Sequence, residues 1–348
     1  MNGKKITQQD IAAALGVSRN TVSKVFNGND CVAEKTCAEV ICTADRLGYK
    51  HANRPSLTET AGSDPRTGGT IAFVSRRDTT NDYWANLVWG VEKSVSASGM
   101  HLTLCMVDRE EEMRLELPAS LKNPAFRGII TIGVFSSKYY RVINDIGIPW
   151  VSIDTACDIN SHNLMCDVIM SNNAEMTEEL TKALIAKGHS KIAFIGDIYI
   201  SLAYTERWLG FYKAMNEAGL PVKKHHCVTE AAEEHYFGGD INDILRNIAG
   251  DATAIVCATD TIALHVIHSL AKMGYSVPGD IAVTGYDNLK ESIRTSLTTV
   301  DNDSKYAGLR AAEEMFWRMK NPARPLEIIR VQAKCIYRDS TEGIIIKP

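Results

Sequence analysis

Two sets of polar residues in this chain could do chemistry. The first is Arg19, Asn20, Thr21, Ser23 and Lys24, close together in the sequence, with Ser18 just before them. Arginine carries the fork that fits guanine, asparagine the amide that fits adenine, and a lysine one helical turn on suits a phosphate or a second base. None of these residues is acidic. The bland alternative is an ordinary helical hairpin with a polar, solvated face. The second set is scattered: Ser75, Asn81, Tyr83, Trp84, Asp154, Arg207, Thr259, Asp260, Asp287 and Asn288. Aromatic faces stack on C–H groups, and Arg and Asp forks bind vicinal hydroxyls, so this set would suit a small polyhydroxylated ligand. Bland readings compete here too. Tyr83 and Trp84 could be core, and Asp260 reads first as a helix cap. Arg207 and Asp287 are the pair for which a ligand is the better reading.

The elements that position the first set are local. Thr7-Gln8-Gln9-Asp10 has the form of a capping box that starts a helix. Ile11, Ala12 and Leu15 then share one face, and Gly16 stops the helix because glycine tolerates a left-handed backbone. Val17 is a buried turn residue. Ser18 can cap the next helix, whose apolar side is Val22, Val25 and Phe26. The segment reads as a helix-turn-helix whose second helix presents its polar residues to a major groove. A third helix is expected over 34–47, with Val40, Ile41, Ala44 and Leu47 as its stripe and Gly48 as its stop. Residues 51–69 are rich in Ser, Thr, Gly and Pro and read as a linker. Residues 1–58 carry a net charge of +3 against −4 for the whole chain, a basic head on an acidic body.

Beyond the linker, short apolar runs alternate with amphipathic stretches. Strands are expected over 70–75, 102–107, 128–132, 149–153, 191–195, 254–257 and 281–286. Helices are expected over 83–97, 138–145, 174–187, 205–218, 237–248 and 260–273. That alternation means doubly wound parallel sheets covered on both faces, and about 270 residues exceed one usual domain, so two lobes are expected. Ligands of such sheets sit at the carboxyl ends of the strands, where the second set of polar residues gathers.

Composition excludes several classes. The chain has 348 residues, 45% of them hydrophobic, so it can build sizeable cores. No apolar run approaches the roughly 20 residues that cross a bilayer, and the first ten residues are no signal peptide, so a cytoplasmic protein is expected. Nine cysteines include no C-x-x-C pair and read as reduced, buried hydrophobes. No nucleotide-binding glycine motif, nucleophile elbow or H-E-x-x-H is present, so neither catalysis nor a cofactor is expected. His225-His226 and the His265/His268 pair have metal-like spacing without an obvious third ligand. A plain solute-binding protein would share the body but not the helix-turn-helix.

The stretches ITQQDIAAALGVSRNTVSKVFNG and ADRLGY in the head, then GIPWVSID, KGHSKIAFIGD, ERWLGFYKAM, CATDTIALHVIHSLAKMGYSVPGDIAVTGYDN, SLTTVDND and YRDST, occur in one order. With them the chain resembles bacterial regulators of the lactose repressor/galactose repressor family over nearly its whole length. The resemblance implies a DNA-binding transcriptional regulator, read as a repressor, with a helix-turn-helix head and a periplasmic-binding-protein-like body. Two α/β lobes, linked by three chain crossings, would close on an effector, usually a sugar or nucleobase. It further implies a homodimer on a near-palindromic operator. Matched residue by residue, Arg19, Asn20 and Lys24 would read bases, and Trp84, Arg207 and Asp287 would bind effector. Expected boundaries are 1–50 for the head and 51–69 for the hinge. The first lobe would span 70–172 with 301–322, and the second 173–300 with 323–340. Effectors that release DNA and effectors that recruit it fit these residues equally.

Three departures from the family pattern stand out. Thr259 replaces the Asn of an A-N-D motif. Ser171 stands where V-x-x-D-N has its carboxylate. The hinge reads Ala52-Asn53-Arg54-Pro55-Ser56-Leu57, and Pro55 fits only the first turn of a helix. Either a hinge helix starts near Arg54–Pro55 and Leu57 wedges into the minor groove, or the heads hang on a flexible tether. The first is preferred because Arg54 and Leu57 keep the charge-plus-wedge pair.

Overall fold

The protein's structure, a computed structural model, describes residues 7–26, 69–77, 81–122, 125–133, 135–160, 162–230 and 241–342, together with Thr36, Val40 and Thr43. Two units make up the chain, 1–67 and 68–348. In the first, α1 (Gln8–Leu15) begins where Thr7 N donates to Asp10 Oδ2 at 2.8 Å and Asp10 N donates to Thr7 Oγ1 at 3.4 Å. It ends at Gly16, whose φ of +67° is left-handed and would cost a side-chain-bearing residue about 1–2 kcal/mol. α2 (Arg19–Phe26) is capped by Ser18, whose Oγ accepts from Thr21 N at 3.0 Å. Ile11, Ala12, Val22, Val25 and Val40 form the core under both helices. Thr36, Val40 and Thr43 are helical. The rest of the expected third helix, the side chain of Phe26, and hinge residues Arg54 and Leu57 lie outside the described residues.

In the second unit the chain lays down β1 (Thr70–Arg76), α3 (Asp82–Ala97), β2 (His101–Val107), α4 (Arg109–Arg114), β3 (Phe126–Ile132), α5 (Ser137–Asn144), β4 (Trp150–Ile153) and β5 (Asp167–Ser171). It crosses into a second lobe with α6 (Asn173–Ala186), β6 (Ile192–Ile195), α7 (Leu202–Glu217), β7 (Cys227–Val228), α8 (Ile241–Ala249), β8 (Ala254–Cys257), α9 (Asp260–Lys272), β9 (Ala282–Thr284), α10 (Lys290–Arg294) and β10 (Thr299–Asp301). It then returns to the first lobe with α11 (Ser304–Lys320) and β11 (Ile328–Val331), and crosses a third time to β12 (Lys334–Ile336), antiparallel to β10. The first sheet runs β2-β1-β3-β4-β5-β11 and the second β7-β6-β8-β9, parallel throughout.

Central strands carry unbroken apolar runs because both faces are covered. On β1, Ile71 and Phe73 pack with Leu87, Val91 and Met315 under α3 and α11, while Ala72 and Val74 pack with Tyr139, Tyr140 and Ile143 of α5 on the other face. α3 and α11 cross at glycines: a Cβ on Gly90 would lie 2.1 Å from Lys305 O, and one on Gly308 2.3 Å from Leu87 O. The second lobe has its own core, with Phe194, Phe211, Val256 and Val283 among its members.

One expected boundary is corrected. Residues 323–340 do not all belong to the second lobe, because β11 is the edge strand of the first sheet, with Ile328 opposite Val168. The short run Ile328–Val331 carries no local sign of which sheet it will join. β5 also escapes local reading. Its first residue, Asp167, is fully buried and is held by Arg318 Nε and Nη2 at 2.6 and 2.7 Å, a partner 151 residues away. Among the described residues no helix is long and apolar enough to cross a membrane.

Candidate functional site

On the head, Arg19, Asn20 and Lys24 are exposed on α2 while Val22 and Val25 of the same helix are buried. Ser18 and Thr21 are occupied with each other, their hydroxyls 2.8 Å apart, so their first role is to start the helix that displays the other three.

In the body, a cavity of about 750 Å³ opens between the two sheets at the carboxyl ends of their strands. Tyr83, Trp84, Arg207, Thr259 and Asp287 all line it. Trp84 is held from behind: its Nε1 donates to Ser75 Oγ at 2.9 Å, and its ring meets Phe73 edge-on at 6.3 Å. Asn81 caps α3 through Trp84 N and sets the start of that helix at the rim. Thr259 caps α9.

Arg207 is 5% exposed on α7. Its Nη1 donates to Ala258 O at 2.7 Å and its Nε to Asn173 Oδ1 at 3.1 Å, and its guanidinium carbon lies 3.6 Å from the Tyr286 ring centre. Nη2 stands 3.7 Å from Asp287 Oδ1, close enough for attraction but longer than a hydrogen bond, so one ligand hydroxyl can bridge both groups. Asp287 Oδ1 also accepts from Asn302 Nδ2 at 2.9 Å. Burial pushes the Asp287 carboxyl up to about 7 against the opposing pull of Arg207. Across the cavity, Asp154 Oδ1 accepts from Thr155 N at 2.7 Å and Ala203 N at 3.1 Å, and burial pushes this carboxyl up to about 6. Asp154 and Asp287 have φ of +62° and +114°, values non-glycine residues rarely adopt and which recur at functional sites.

Ser75 and Asp260, both expected to touch an effector, are not among the residues that line the cavity. Ser75 lies behind Trp84. Asp260 points into the second lobe, where its Oδ2 accepts from Leu289 N at 2.8 Å and its Oδ1 from Thr299 Oγ1 at 2.5 Å. It pins the turn that carries Asp287. Local sequence reading missed Asn173, Tyr204, Asn302, Arg76 and Arg109, which line the cavity together with Asp154 of the strand-end set. Arg76 and Arg109, each within two residues of the end of an expected strand, offered that signal.

Residues 7–51 match the family model for bacterial regulatory proteins of the lacI family, and residues 181–341 the model for a periplasmic binding protein-like domain. The HTH-type transcriptional repressor PurR of Actinobacillus pleuropneumoniae serotype 3 is 30% identical over 317 residues, 90% of this chain and 91% of its own length. The chain belongs to the LacI family. It is a DNA-binding transcriptional regulator controlled by a small-molecule effector, and the LacI family is one of regulators rather than enzymes. The fold is that of a CelR–cellobiose complex, with a TM-score of 0.70 at 23% identity, covering 97% of this chain and all of that one. It is also that of a lac repressor dimer bound to operator and the anti-inducer ONPF, with a TM-score of 0.65 at 21% identity, covering 98% of this chain and all of that one.

Proposed function

We propose that this LacI-family regulator is a cytoplasmic homodimer that represses transcription from a near-palindromic operator and responds to a sugar or closely related polyol bound in the cleft. Arg19, Asn20 and Lys24 read the operator. Arg207, Asp287, Trp84, Tyr83 and Thr259, joined by Asp154 and Asn302, hold the effector. The observation that carries this reading is the Arg207–Asp287 pair, held 3.7 Å apart with Trp84 and Tyr83 on the cavity wall. Planar forks beside aromatic faces match the alternating C–H and O–H faces of a sugar ring. The CelR structure of the same fold holds cellobiose, in keeping with that class. Lobe closure on the effector would change the spacing of the two heads, and the coupling is reciprocal: an effector that weakens operator binding is itself bound more weakly in its presence.

A screen of mono- and disaccharides, cellobiose among them, for shifts in melting temperature tests the reading. A sugar that shifts the wild type but not Arg207→Ala or Asp287→Ala supports it. A hit that shifts both variants as it shifts the wild type places its site elsewhere.

A further inference from the structure

Arg207 is flanked on α7 by Glu206, whose carboxylate turns to the chain crossings. It takes both arms of one guanidinium: Arg330 Nη2 donates to Oε1 at 2.6 Å and Nη1 to Oε2 at 2.9 Å. Arg330 belongs to β11, at the edge of the first sheet, and Glu206 to a helix of the second lobe. The pair therefore spans the lobes beside the hinge. Fork-to-fork pairs are the strong, directional kind, and the Glu206 side chain is only 12% exposed, which limits screening.

A buried amide joins this pair to the effector fork. Asn173 is 1% exposed. Its Nδ2 donates to Glu206 Oε2 at 3.3 Å and to Ser171 O at 3.1 Å, and its Oδ1 accepts from Arg207 Nε at 3.1 Å and from Ser171 Oγ at 3.0 Å. Arg330 Nη1 also reaches Ser171 O at 3.3 Å. Asn172 ties the first crossing to the third, through Gln332 Oε1 at 3.1 Å and Ala333 N at 2.8 Å. At the start of α7 the lobes are docked: Leu202 N donates to Thr155 O at 2.8 Å and Ala203 N to Asp154 Oδ1 at 3.1 Å. The first turns of α7 thus carry a docking contact, a hinge pair and the effector fork in succession.

We propose that Glu206 and Arg330 form an interlobe clamp that positions Arg207 through Asn173 and sets how readily the cleft opens. The idea rests on the cavity being the effector site, but the clamp can be tested without any effector. Hydrogen–deuterium exchange on the full-length, effector-free protein reads the docking amides of Leu202 and Ala203. Glu206→Gln and Arg330→Gln should each speed their exchange about tenfold, while the core amides of Phe194 and Val256 exchange as in the wild type. The double variant should add nothing to either single change, as expected of one interaction removed twice. The charge swap, Glu206→Arg with Arg330→Glu, should restore part of the protection. Arg330→Lys, which keeps charge and loses the fork, serves if a glutamine variant folds poorly; it should speed exchange too. Unchanged docking amides, additive effects, or an equal rise at Phe194 would each overturn the clamp. A separate failure of Arg207→Ala to abolish sugar binding would sink the effector site and leave these rates untouched.

Discussion

Arg19 and Arg207 are the same side chain put to opposite uses. Arg19 stands exposed on α2, where water and salt screen it, and in its proposed role its desolvation would be deferred until DNA arrives. Arg207 is 5% exposed, spread over the Tyr286 ring and tied to Ala258 O and Asn173. Its desolvation cost was met when the body folded, and a ligand finds it already aimed. In the roles proposed above, the head would sample many DNA sites cheaply, while the cleft would be set for one class of small molecule. In binding sites, rigidity and burial trade against reach.

The sharpest break between the two regions should come from Arg207→Ala. Removing Arg207 leaves the buried Asp287 without its opposite charge, a loss of about 2–5 kcal/mol, so calorimetry should find sugar binding lost while operator binding without sugar stays near wild type. Raised salt should leave wild-type sugar binding almost unchanged and weaken operator binding steeply. Should both fall alike with salt, the contrast between buried and exposed charge is wrong.

Next in size is Arg19→Ala, with about 1–3 kcal/mol lost on the operator and less on random DNA. An equal loss on both would make Arg19 a phosphate clamp. Ser18→Ala should cost the head about 1 kcal/mol of stability as a lost helix cap, read by thermal melting of the head. If operator affinity fell further than that loss of folding explains, Ser18 would also touch DNA.

The smallest effect concerns the buried acids. Asp154 and Asp287 are raised to about 6 and about 7, above the roughly 3.9 of an unfolded aspartate. Their contribution to stability is full below about pH 4 and is lost as pH rises through about 6 and about 7 respectively. Asp154→Asn keeps the Oδ1 acceptor for Thr155 and Ala203 and removes the charge. The sugar-free variant should melt a few degrees above wild type at pH 8, and the difference should shrink as pH falls below 6 and vanish only below about pH 4. A variant less stable at pH 8 would show that the carboxylate's charge is needed to hold α7.

The head was legible because its determinants are neighbours: the Thr7–Asp10 box, the Gly16 stop and the Ser18 cap all act within a dozen residues. The two-lobed parallel architecture was legible from alternating apolar runs. The cleft was legible only as a set of strand ends. Local pattern does not say which way a polar side chain turns there. Asp260 faces away because Leu289 and Thr299, 29 and 39 residues further on, supply its donors. Asn173 and Asn302 follow β5 and β10, two strands that were not expected from the sequence, so nothing there linked them to Arg207 and Asp287. β5 hid for a similar reason, since its buried Asp167 makes sense only with Arg318 present.

The return of α11 and β11 to the first sheet separates the order of synthesis from the order of assembly. When the ribosome has made β1 to β5, that lobe still lacks the helix that covers Gly90 and the strand that covers β5. The whole second lobe must emerge before those pieces exist. A nascent chain therefore holds an open face of Ile130, Val151 and Ile169 until α11 is made, and chaperone demand should be concentrated in that interval.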